Sequence, residues 1–192
     1  TYKELPPWAP SGEGPLIVVM GGSQGALGLN KMVRSITPKL LELGCRIVHL
    51  TGPNDSESMQ YFHPNLIERE FSDDIPSLLQ NADLAISRAG ASAISELAIC
   101  GTASILVPYP QAKDKHQEVN AMNVASKGAA VVIHQTTSNK KVLLDVILNL
   151  FHFGSEEISQ KKEKLFEMKK AMKSLSIVDS NQKLAELIQK LL

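Results

Sequence analysis

The sequence predicts an α/β domain with a doubly wound, Rossmann-like parallel sheet, and three observations carry this prediction. Short apolar runs alternate with segments of helical spacing over residues 15–154, which is the element order of parallel strands joined by helices. Several of these runs are apolar throughout, as expected of strands that are covered on both faces. The crossovers in such a sheet are right-handed, so helices should lie on both of its sides.

Each strand is predicted from a short apolar run, and each helix from the apolar spacing that follows it. The predicted strands are Leu16–Met20, Arg46–Leu50, Leu66–Glu70, Leu84–Ser87, Ser104–Val107 and Ala130–Ile133. The predicted helices are Leu27–Leu43, Ile75–Asn81, Ser92–Cys100, Lys115–Lys127 and Lys140–Phe151. Pro38 should kink or restart the first helix, because proline lacks an amide N–H and clashes with the preceding turn.

The two ends of the chain differ in composition from this alternating region. Residues 1–14 are rich in proline and glycine and begin at Thr1, which suggests the remnant of an interdomain linker in a longer protein. Residues 155–192 show only helical spacing. Their basic segment, 156–173, is predicted to be an amphipathic helix that either rests its apolar side on the core or touches a membrane surface. A last helix, Asp179–Leu192, should dock through an apolar stripe.

Charge and cysteine content restrict the class of protein. The chain has 20 Lys and Arg residues and 20 Asp and Glu residues, whereas a general nucleic-acid binder needs a basic surplus. We find no apolar run of about 20 residues, the length that a membrane span requires, and no signal peptide. Cys45 and Cys100 lie beside apolar runs and should be buried reduced thiols. These features predict a soluble cytosolic protein with no nucleic-acid partner.

The first candidate site is the turn "GGSQGA", which follows the first predicted strand. It lacks the Gly-Lys-Ser/Thr of a P-loop and does not match the G-x-G-x-x-G dinucleotide fingerprint. Gly21, Gly22 and Gly25 leave the backbone amides open, with Ser23 and Gln24 between them. Such amides at a helix N-terminus can bind a phosphate. The alternative is that the glycines only permit close packing of the chain.

A second turn of this kind, "RAGASA", follows the predicted strand Leu84–Ser87. Its small residues leave room for a ligand at a helix N-terminus, and they are Ala89, Gly90, Ala91 and Ser92. Glu96 lies about one turn into that helix, where its carboxylate could accept two hydrogen bonds from a ribose diol. The alternative is a helix-dipole or capping role. Arg88 could pair with a phosphate or with a neighbouring carboxylate.

The third segment is "VPYPQAKDKHQEVNA". Asp114 is predicted to cap a helix that begins at Lys115. His116 and Gln117 would lie in its first turn, at the same edge of the sheet as the two glycine turns, where they could contact sugar hydroxyls. A surface role is the alternative for His116. Asn120, one turn further on, is expected to support the loop.

These three segments, in their order and spacing, resemble the MurG family of bacterial transferases. That family adds N-acetylglucosamine from UDP-GlcNAc to undecaprenyl-pyrophosphoryl-MurNAc-pentapeptide. The resemblance runs from about Pro15 to Leu192 and implies a GT-B fold, of which this chain is the C-terminal, nucleotide-sugar-binding half. It also implies a peripheral location at the cytoplasmic face of the plasma membrane, with UDP-GlcNAc and a lipid-linked acceptor as partners. On this reading residues 155–192 pack on the domain and toward the missing N-terminal half.

The resemblance implies a role for several single residues. Ser23 would face the diphosphate with Gly22, and Glu96 would bind the ribose hydroxyls. The segment "EFSDDI" matches the family's loop that reads uracil through backbone groups, which places Ser72 at the base. Gln117 would contact the sugar, whereas His116 stands where many relatives carry a second glutamine. The predicted substrate-binding residues are Gly22, Ser23, Gln24, Ser72, Arg88, Gly90, Ala91, Ser92, Glu96, His116 and Gln117.

The resemblance assigns no catalytic residue to this chain, because it places the base in the N-terminal half. The chain alone is therefore expected to bind the sugar donor without transferring it. It contains no Asp-x-Asp motif and no Cys/His ligand spacing, so we predict neither a metal nor a cofactor. The alternatives are the soluble half of a two-subunit dolichol-linked GlcNAc transferase and a non-catalytic uridine-nucleotide-binding module. The missing dinucleotide fingerprint argues against an NAD-dependent oxidoreductase.

Overall fold

The computed structural model of the 192-residue chain describes residues 4–57, 62–136, 139–153 and 158–176. Its centre is a six-stranded sheet in the order β3-β2-β1-β4-β5-β6, in which every neighbouring pair is parallel. The strands are β1 (Leu16–Met20), β2 (Arg46–Leu50), β3 (Leu66–Arg69), β4 (Leu84–Ser87), β5 (Ser104–Leu106) and β6 (Ala130–Val132). The prediction of a doubly wound parallel sheet is confirmed.

Seven α-helices lie in the described part of the chain. They are α1 (Leu27–Arg34), α2 (Thr37–Glu42), α3 (Ile75–Asn81), α4 (Ala91–Cys100), α5 (His116–Ser126), α6 (Asn139–Phe151) and α7 (Ile158–Ser174). The predicted helix Leu27–Leu43 is divided into α1 and α2, and Pro38 lies in the first turn of α2. Proline is tolerated there because the first-turn amides have no partner within the helix. The predicted restart at Pro38 is confirmed.

Two apolar layers enclose the sheet. Side chains alternate between its faces, so neighbouring residues of β1 contribute to different layers. One layer joins the sheet to α1, α2 and α6 and contains Ile17, Val19, Leu29, Leu40 and Ile147. The other joins it to α3, α4 and α5 and contains Leu16, Val18, Leu78, Leu97 and Ala121. Burial on both faces explains why the strand sequences are apolar throughout.

Strand order determines where a ligand crevice can form. The chain runs from β1 outward to β2 and β3, and then returns to the other side of β1 with β4. The loops after β1 and β4 therefore diverge to opposite faces of the sheet. An open α/β sheet binds its ligands in the crevice at such a point, outside the carboxyl ends of the strands.

The segments outside the alternating region also pack on it. Within residues 4–14, Ala9 is buried and the Arg46 guanidinium donates to the Gly14 carbonyl at 2.7 Å. In α7, Met168 and Met172 are buried in the two apolar layers, so this helix rests its apolar side on the core. The predicted helix Asp179–Leu192 lies outside the described residues. In the part of the chain that the structure describes, no helix combines the length and apolarity that a membrane span needs.

Both cysteines are free thiols, and Cys45 is buried while Cys100 is partly buried. Burial raises the pKa of the Cys45 thiol to about 12, so this group stays protonated and unreactive at neutral pH. The prediction of reduced thiols is confirmed.

Candidate functional site

The glycine turn after β1 combines close packing with an open surface. The Gly25 amide donates to the Gly22 carbonyl at 2.9 Å, which closes the turn. Both residues have positive φ, +88° at Gly22 and +75° at Gly25, a conformation that other residues adopt only with strain. A Cβ on Gly25 would collide with the Thr51 carbonyl, whereas one on Gly22 would meet nothing within 4 Å. Packing therefore explains Gly25 and leaves Gly22 open to a ligand.

Two backbone amides of this turn are unpaired. Among the described residues, no acceptor takes the N–H groups of Ser23 or Gln24, and both residues are exposed. The Asn54 amide donates to the Gln24 carbonyl at 3.1 Å and lies 3.4 Å from its side-chain oxygen, which anchors the turn to the loop after β2. Unpaired amides beside the α1 N-terminus are suited to an anion.

The first cavity, of about 380 Å³, opens on the α4 side of the glycine turn. It is lined by Met20, Gly22, Ser23, Leu50, Glu70, Phe71, Ile75, Ser92, Ala93 and Glu96. The last residues of β1 and β2, together with Phe71 and Ile75, supply an apolar wall. Serine and glutamate side chains from the two turns supply the polar wall. A flat ring with a hydroxylated, charged substituent matches this distribution of apolar and polar surface.

Two carboxylates line the first cavity, the exposed Glu70 and the more buried Glu96. The Glu96 side chain is half-buried, and no donor in the described part of the chain pairs with its carboxylate. Burial raises the pKa of the Glu96 carboxyl above its ordinary value. The residue at the N-cap of α4 is Gly90, and no side chain caps this helix. The capping alternative is therefore wrong for Glu96, and its carboxylate is free to accept hydrogen bonds.

The turn before α4 leaves space in front of the helix. Gly90 has an ordinary φ of −69°, and a Cβ there would meet nothing within 4 Å. Neither backbone conformation nor packing within the described residues requires a glycine at this position. Ala91 and Ser92 are exposed beside it. The Asn120 amide donates to the Ala89 carbonyl at 3.1 Å, which confirms the predicted supporting role of Asn120.

The second cavity, of about 460 Å³, lies on the other side of the glycine turn. Its lining residues come from the loops after β1, β2, β4, β5 and β6 and from the first turns of α1 and α5. They are Gly21, Gln24, Gly25, Ala26, Leu27, Gly28, Asn54, Arg88, Tyr109, Gln117 and Gln135. The glycine turn thus separates two cavities at the carboxyl edge of the sheet. A ligand that crosses this turn would contact both.

Arg88 places a buried positive charge at the second cavity. Its side chain is 5% exposed and donates to the carbonyls of Val107 at 3.0 Å and Pro108 at 3.2 Å. Its other terminal nitrogen donates to the Gln135 side chain, and the Tyr109 ring lies 5.4 Å away. Burial lowers the pKa of Arg88 to about 10, so the group remains cationic at neutral pH.

The hydrogen-bond partners of Arg88 exclude one of its two predicted roles, the pairing with a carboxylate. All its hydrogen-bond acceptors within the described residues are neutral oxygens, so the pairing with a neighbouring carboxylate is wrong. A buried cation without a counter-ion is unfavourable unless an anion approaches it. Phosphate contact stays a prediction for Arg88.

Gln117 and His116, at the start of α5, differ in their surroundings. The Tyr109 amide donates to the Gln117 side-chain oxygen at 3.0 Å, which leaves the Gln117 NH₂ group directed to other acceptors. Gln117 lines the second cavity, whereas His116 is exposed and lines neither cavity. The predicted cap is wrong, because Lys115 occupies the N-cap and no side chain caps α5. Asp114 and Lys115 have positive φ, and the intervening turn moves Asp114 off the cap position.

The loop between β3 and α3 contributes mainly through the neighbours of Ser72. Ser72 is buried, and its hydroxyl accepts the Asp74 amide at 3.0 Å. Its side chain therefore stabilises the loop and is absent from the cavity lining. Glu70, Phe71 and Ile75 line the first cavity instead.

Sequence reasoning missed several residues that line the cavities, among them Phe71, Asn54, Tyr109 and Gln135. Asn54 and Gln135 follow β2 and β6, and applying the carboxyl-edge rule to every predicted strand would have pointed to them. Within the described ranges, no group of three or more His, Cys, Asp or Glu residues could hold a metal ion.

The chain is similar in sequence to a known protein family and to named transferases. Residues 16–175 match the family described as "Glycosyltransferase family 28 C-terminal domain". A protein of Synechococcus sp. (strain CC9605), named UDP-N-acetylglucosamine--N-acetylmuramyl-(pentapeptide) pyrophosphoryl-undecaprenol N-acetylglucosamine transferase, is 54% identical over 191 residues, covering 100% of this chain and 53% of the relative. A protein of the same name from Parasynechococcus marenigrum (strain WH8102) is 54% identical over 190 residues, covering 99% and 53%. The chain spans about half the length of the curated relatives it matches.

Solved structures show the same architecture. The crystal structure of Acinetobacter baumannii MurG matches with a TM-score of 0.70 and 28% identity, covering 93% of this chain and 52% of that one. CalG4, the calicheamicin glycosyltransferase, matches with a TM-score of 0.69 and 16% identity, covering 97% and 46%, and this likeness concerns the fold alone. These matches confirm the predicted resemblance to the MurG family and the assignment to one half of a GT-B fold. The chain therefore belongs to the family of glycosyltransferase family 28 C-terminal domains.

Proposed function

We propose that this chain binds UDP-GlcNAc as the sugar-donor half of an inverting N-acetylglucosaminyltransferase, with undecaprenyl-pyrophosphoryl-MurNAc-pentapeptide as the acceptor. The substrates are those in the name of the relatives that are 54% identical to this chain. One observation carries the proposal. A glycine turn with unpaired amides separates a cavity with a free carboxylate from a cavity with a buried arginine.

In this proposal the nucleoside occupies the first cavity. The free carboxylate of Glu96 accepts hydrogen bonds from the two ribose hydroxyls, as an acidic side chain does at many nucleotide sites. The uracil ring lies against Phe71 and Ile75, and its polar edge meets backbone groups of the loop after β3. This arrangement uses both the apolar and the polar wall of the cavity.

The diphosphate then lies at the glycine turn. The amides of Ser23 and Gln24 and the N-terminus of α4 at Ser92 converge there, and the open space at Gly90 admits the phosphate oxygens. The sugar extends into the second cavity, where the NH₂ group of Gln117 donates to a hydroxyl. The buried charge of Arg88 attracts the diphosphate from that side.

These groups would assist the departure of UDP. When the acceptor's C4 hydroxyl attacks the anomeric carbon, the bond to the UDP oxygen breaks and negative charge develops on the β-phosphate. Helix N-termini and unpaired amides that are already oriented stabilise this charge without reorganising. We place the base that removes the hydroxyl proton in the other half of the enzyme. We therefore expect this chain alone to bind the donor without transferring it.

The acceptor also suggests a location. Because it is lipid-linked, we propose that the enzyme acts at the cytoplasmic face of the plasma membrane through peripheral contact. Neither nucleic acid nor a cofactor is part of the proposal.

Calorimetric titration with UDP-GlcNAc, UDP-GalNAc, UDP and ADP tests it. We expect the uridine nucleotides to bind and UDP-GlcNAc to bind most tightly. Equal affinities for UDP and UDP-GlcNAc would contradict the sugar contact at Gln117. Equal affinities for ADP and UDP would contradict the uracil assignment and indicate a general nucleotide-binding module.

A further inference from the structure

The segment that precedes β1 covers the outside of the nucleoside loop. We call residues 4–10 the strap. Its residues Leu5 and Trp8 pack against the apolar layer that contains Ile75 and Leu78, and Ala9 is buried there. The Ser77 hydroxyl of α3 donates to the Glu4 carbonyl. The strap therefore lies against α3 and the loop that leads into it.

Trp8 connects the two ends of that loop. Its indole N–H donates to the Asp74 carboxylate at 3.0 Å, and its ring lies 4.0 Å from the guanidinium carbon of Arg69. Arg69 is the last residue of β3, and Asp74 is the N-cap residue of α3. The Asp74 side chain does not cap α3, and its Oδ2 accepts the Trp8 N–H.

A backbone hydrogen bond also restrains the start of the loop, because the Gly52 amide donates to the Glu70 carbonyl at 3.0 Å. Phe71, Asp73 and Asp74 are exposed, and the side-chain bond within the loop joins Ser72 to the Asp74 amide. Its inner surface lines the first cavity through Phe71 and Ile75. Within the described residues, Trp8 thus holds the outer surface of a short loop whose inner surface is the proposed uracil wall.

We infer that Trp8 is a positioning residue, which holds the loop after β3 in its base-binding shape and connects the strap to the nucleoside end of the site. The inference rests on the proposed function. An unrestrained loop would have to be ordered when the nucleotide binds, and that loss of conformational freedom lowers affinity. A loop that is already held avoids this loss.

Tryptophan emission tests the inference directly, because the chain contains one tryptophan. UDP should alter the Trp8 emission spectrum, with the same midpoint as the calorimetric titration. Trp8→Ala should weaken UDP binding about 3- to 10-fold, which is less than the combined contribution of an exposed cation–π contact and one hydrogen bond, because part of that contribution stabilises the fold rather than the complex. Trp8→Phe should lose less, because its ring still stacks on Arg69.

Arg46→Met is the matched control. The Arg46 guanidinium donates to the carbonyls of Gly14 and Pro10 and so holds the opposite end of the segment, away from the cavities. This variant should change UDP affinity by no more than about twofold, because the partly buried Arg46 lines neither cavity. Thermal unfolding of all variants separates a loss of stability from a loss of affinity.

Each result has a distinct meaning. UDP binding with unchanged emission, together with equal affinities in Trp8→Ala and Arg46→Met, would overturn the inference and leave the proposed function in place. A wild-type chain that binds no uridine nucleotide would overturn the proposed function and the inference with it. If Trp8→Ala does not fold, wild-type emission and the affinity of Trp8→Phe decide the matter.

Discussion

Replacement of Glu96 by alanine should weaken UDP binding without destabilising the folded protein. The carboxylate is half-buried in the first cavity, and no described group donates to it. In the proposed complex it accepts hydrogen bonds from two ribose hydroxyls. Hydrogen bonds to a charged acceptor contribute about 1–3 kcal/mol, which corresponds to about 5- to 150-fold in Kd. We expect Glu96→Ala to weaken UDP binding within this range.

The stability of the folded protein should not fall when Glu96 loses its charge. Burial raises the pKa of Glu96, so the folded protein binds a proton at this site more readily than the unfolded chain does. Ionisation at neutral pH therefore reduces stability, and this loss appears as the pH rises through the carboxyl's titration. Glu96→Gln removes the ionisation, so its melting temperature should equal or exceed that of the wild type while its UDP affinity falls.

The assay combines calorimetry with a change in the ligand. Wild type, Glu96→Ala and Glu96→Gln are titrated with UDP and with 2′-deoxy-UDP. The penalty of each substitution should be smaller for 2′-deoxy-UDP, because one of the two proposed hydrogen bonds is already absent. Wild-type affinity should also fall as Glu96 becomes protonated at acidic pH, and Glu96→Gln should keep only the pH dependence that the terminal phosphate of UDP causes. Unchanged UDP affinity in Glu96→Ala would refute the ribose assignment.

Three further substitutions test the turns around the site. Gly90→Ala should have the wild-type melting temperature, since a Cβ there meets no described atom. Calorimetry should nevertheless show weaker UDP binding. A wild-type affinity would mean that no ligand approaches Gly90. Gly25→Ala should reduce the free energy of unfolding, measured by urea denaturation, by about 2 kcal/mol or more, because its backbone is left-handed and a Cβ would collide with Thr51. A stability equal to that of Gly90→Ala would contradict the packing argument. Arg88→Met should reduce the free energy of unfolding by about 1–3 kcal/mol, because carbonyls lose their donor. It should weaken the binding of UDP and leave the affinity for uridine unchanged. An equal loss of affinity for both ligands would argue against a diphosphate contact.

Local pattern was sufficient to predict the elements of the fold. The observed bounds of β1 (Leu16–Met20), β4 (Leu84–Ser87) and α3 (Ile75–Asn81) equal the predicted ones. Strand and helix periodicity, glycine turns and proline restarts depend on residues a few positions apart, and such features can be read along one chain. The parallel order followed, because right-handed crossovers leave few arrangements for alternating strands and helices.

The sequence predicted which loops line the candidate site, but only part of the side-chain and backbone contacts within it. The motifs placed the ligand at two turns and α5, and those segments do line the two cavities. The sequence could not show that Gly25 packs while Gly22 stays open. It also could not show that Arg88 meets carbonyls 19 and 20 positions away, or that Trp8 binds a carboxylate 66 positions away.

Periodicity and turn chemistry are thus properties of neighbours along the chain, and by themselves they determine the strands, helices and turns of this protein. Partners of charged and aromatic side chains depend on which loops converge at the edge of the sheet. That convergence exists only after β4 has crossed back beside β1. The assignments for Gly25, Arg88 and Trp8 therefore came from the packed molecule, because burial and hydrogen bonding between distant segments arise only there.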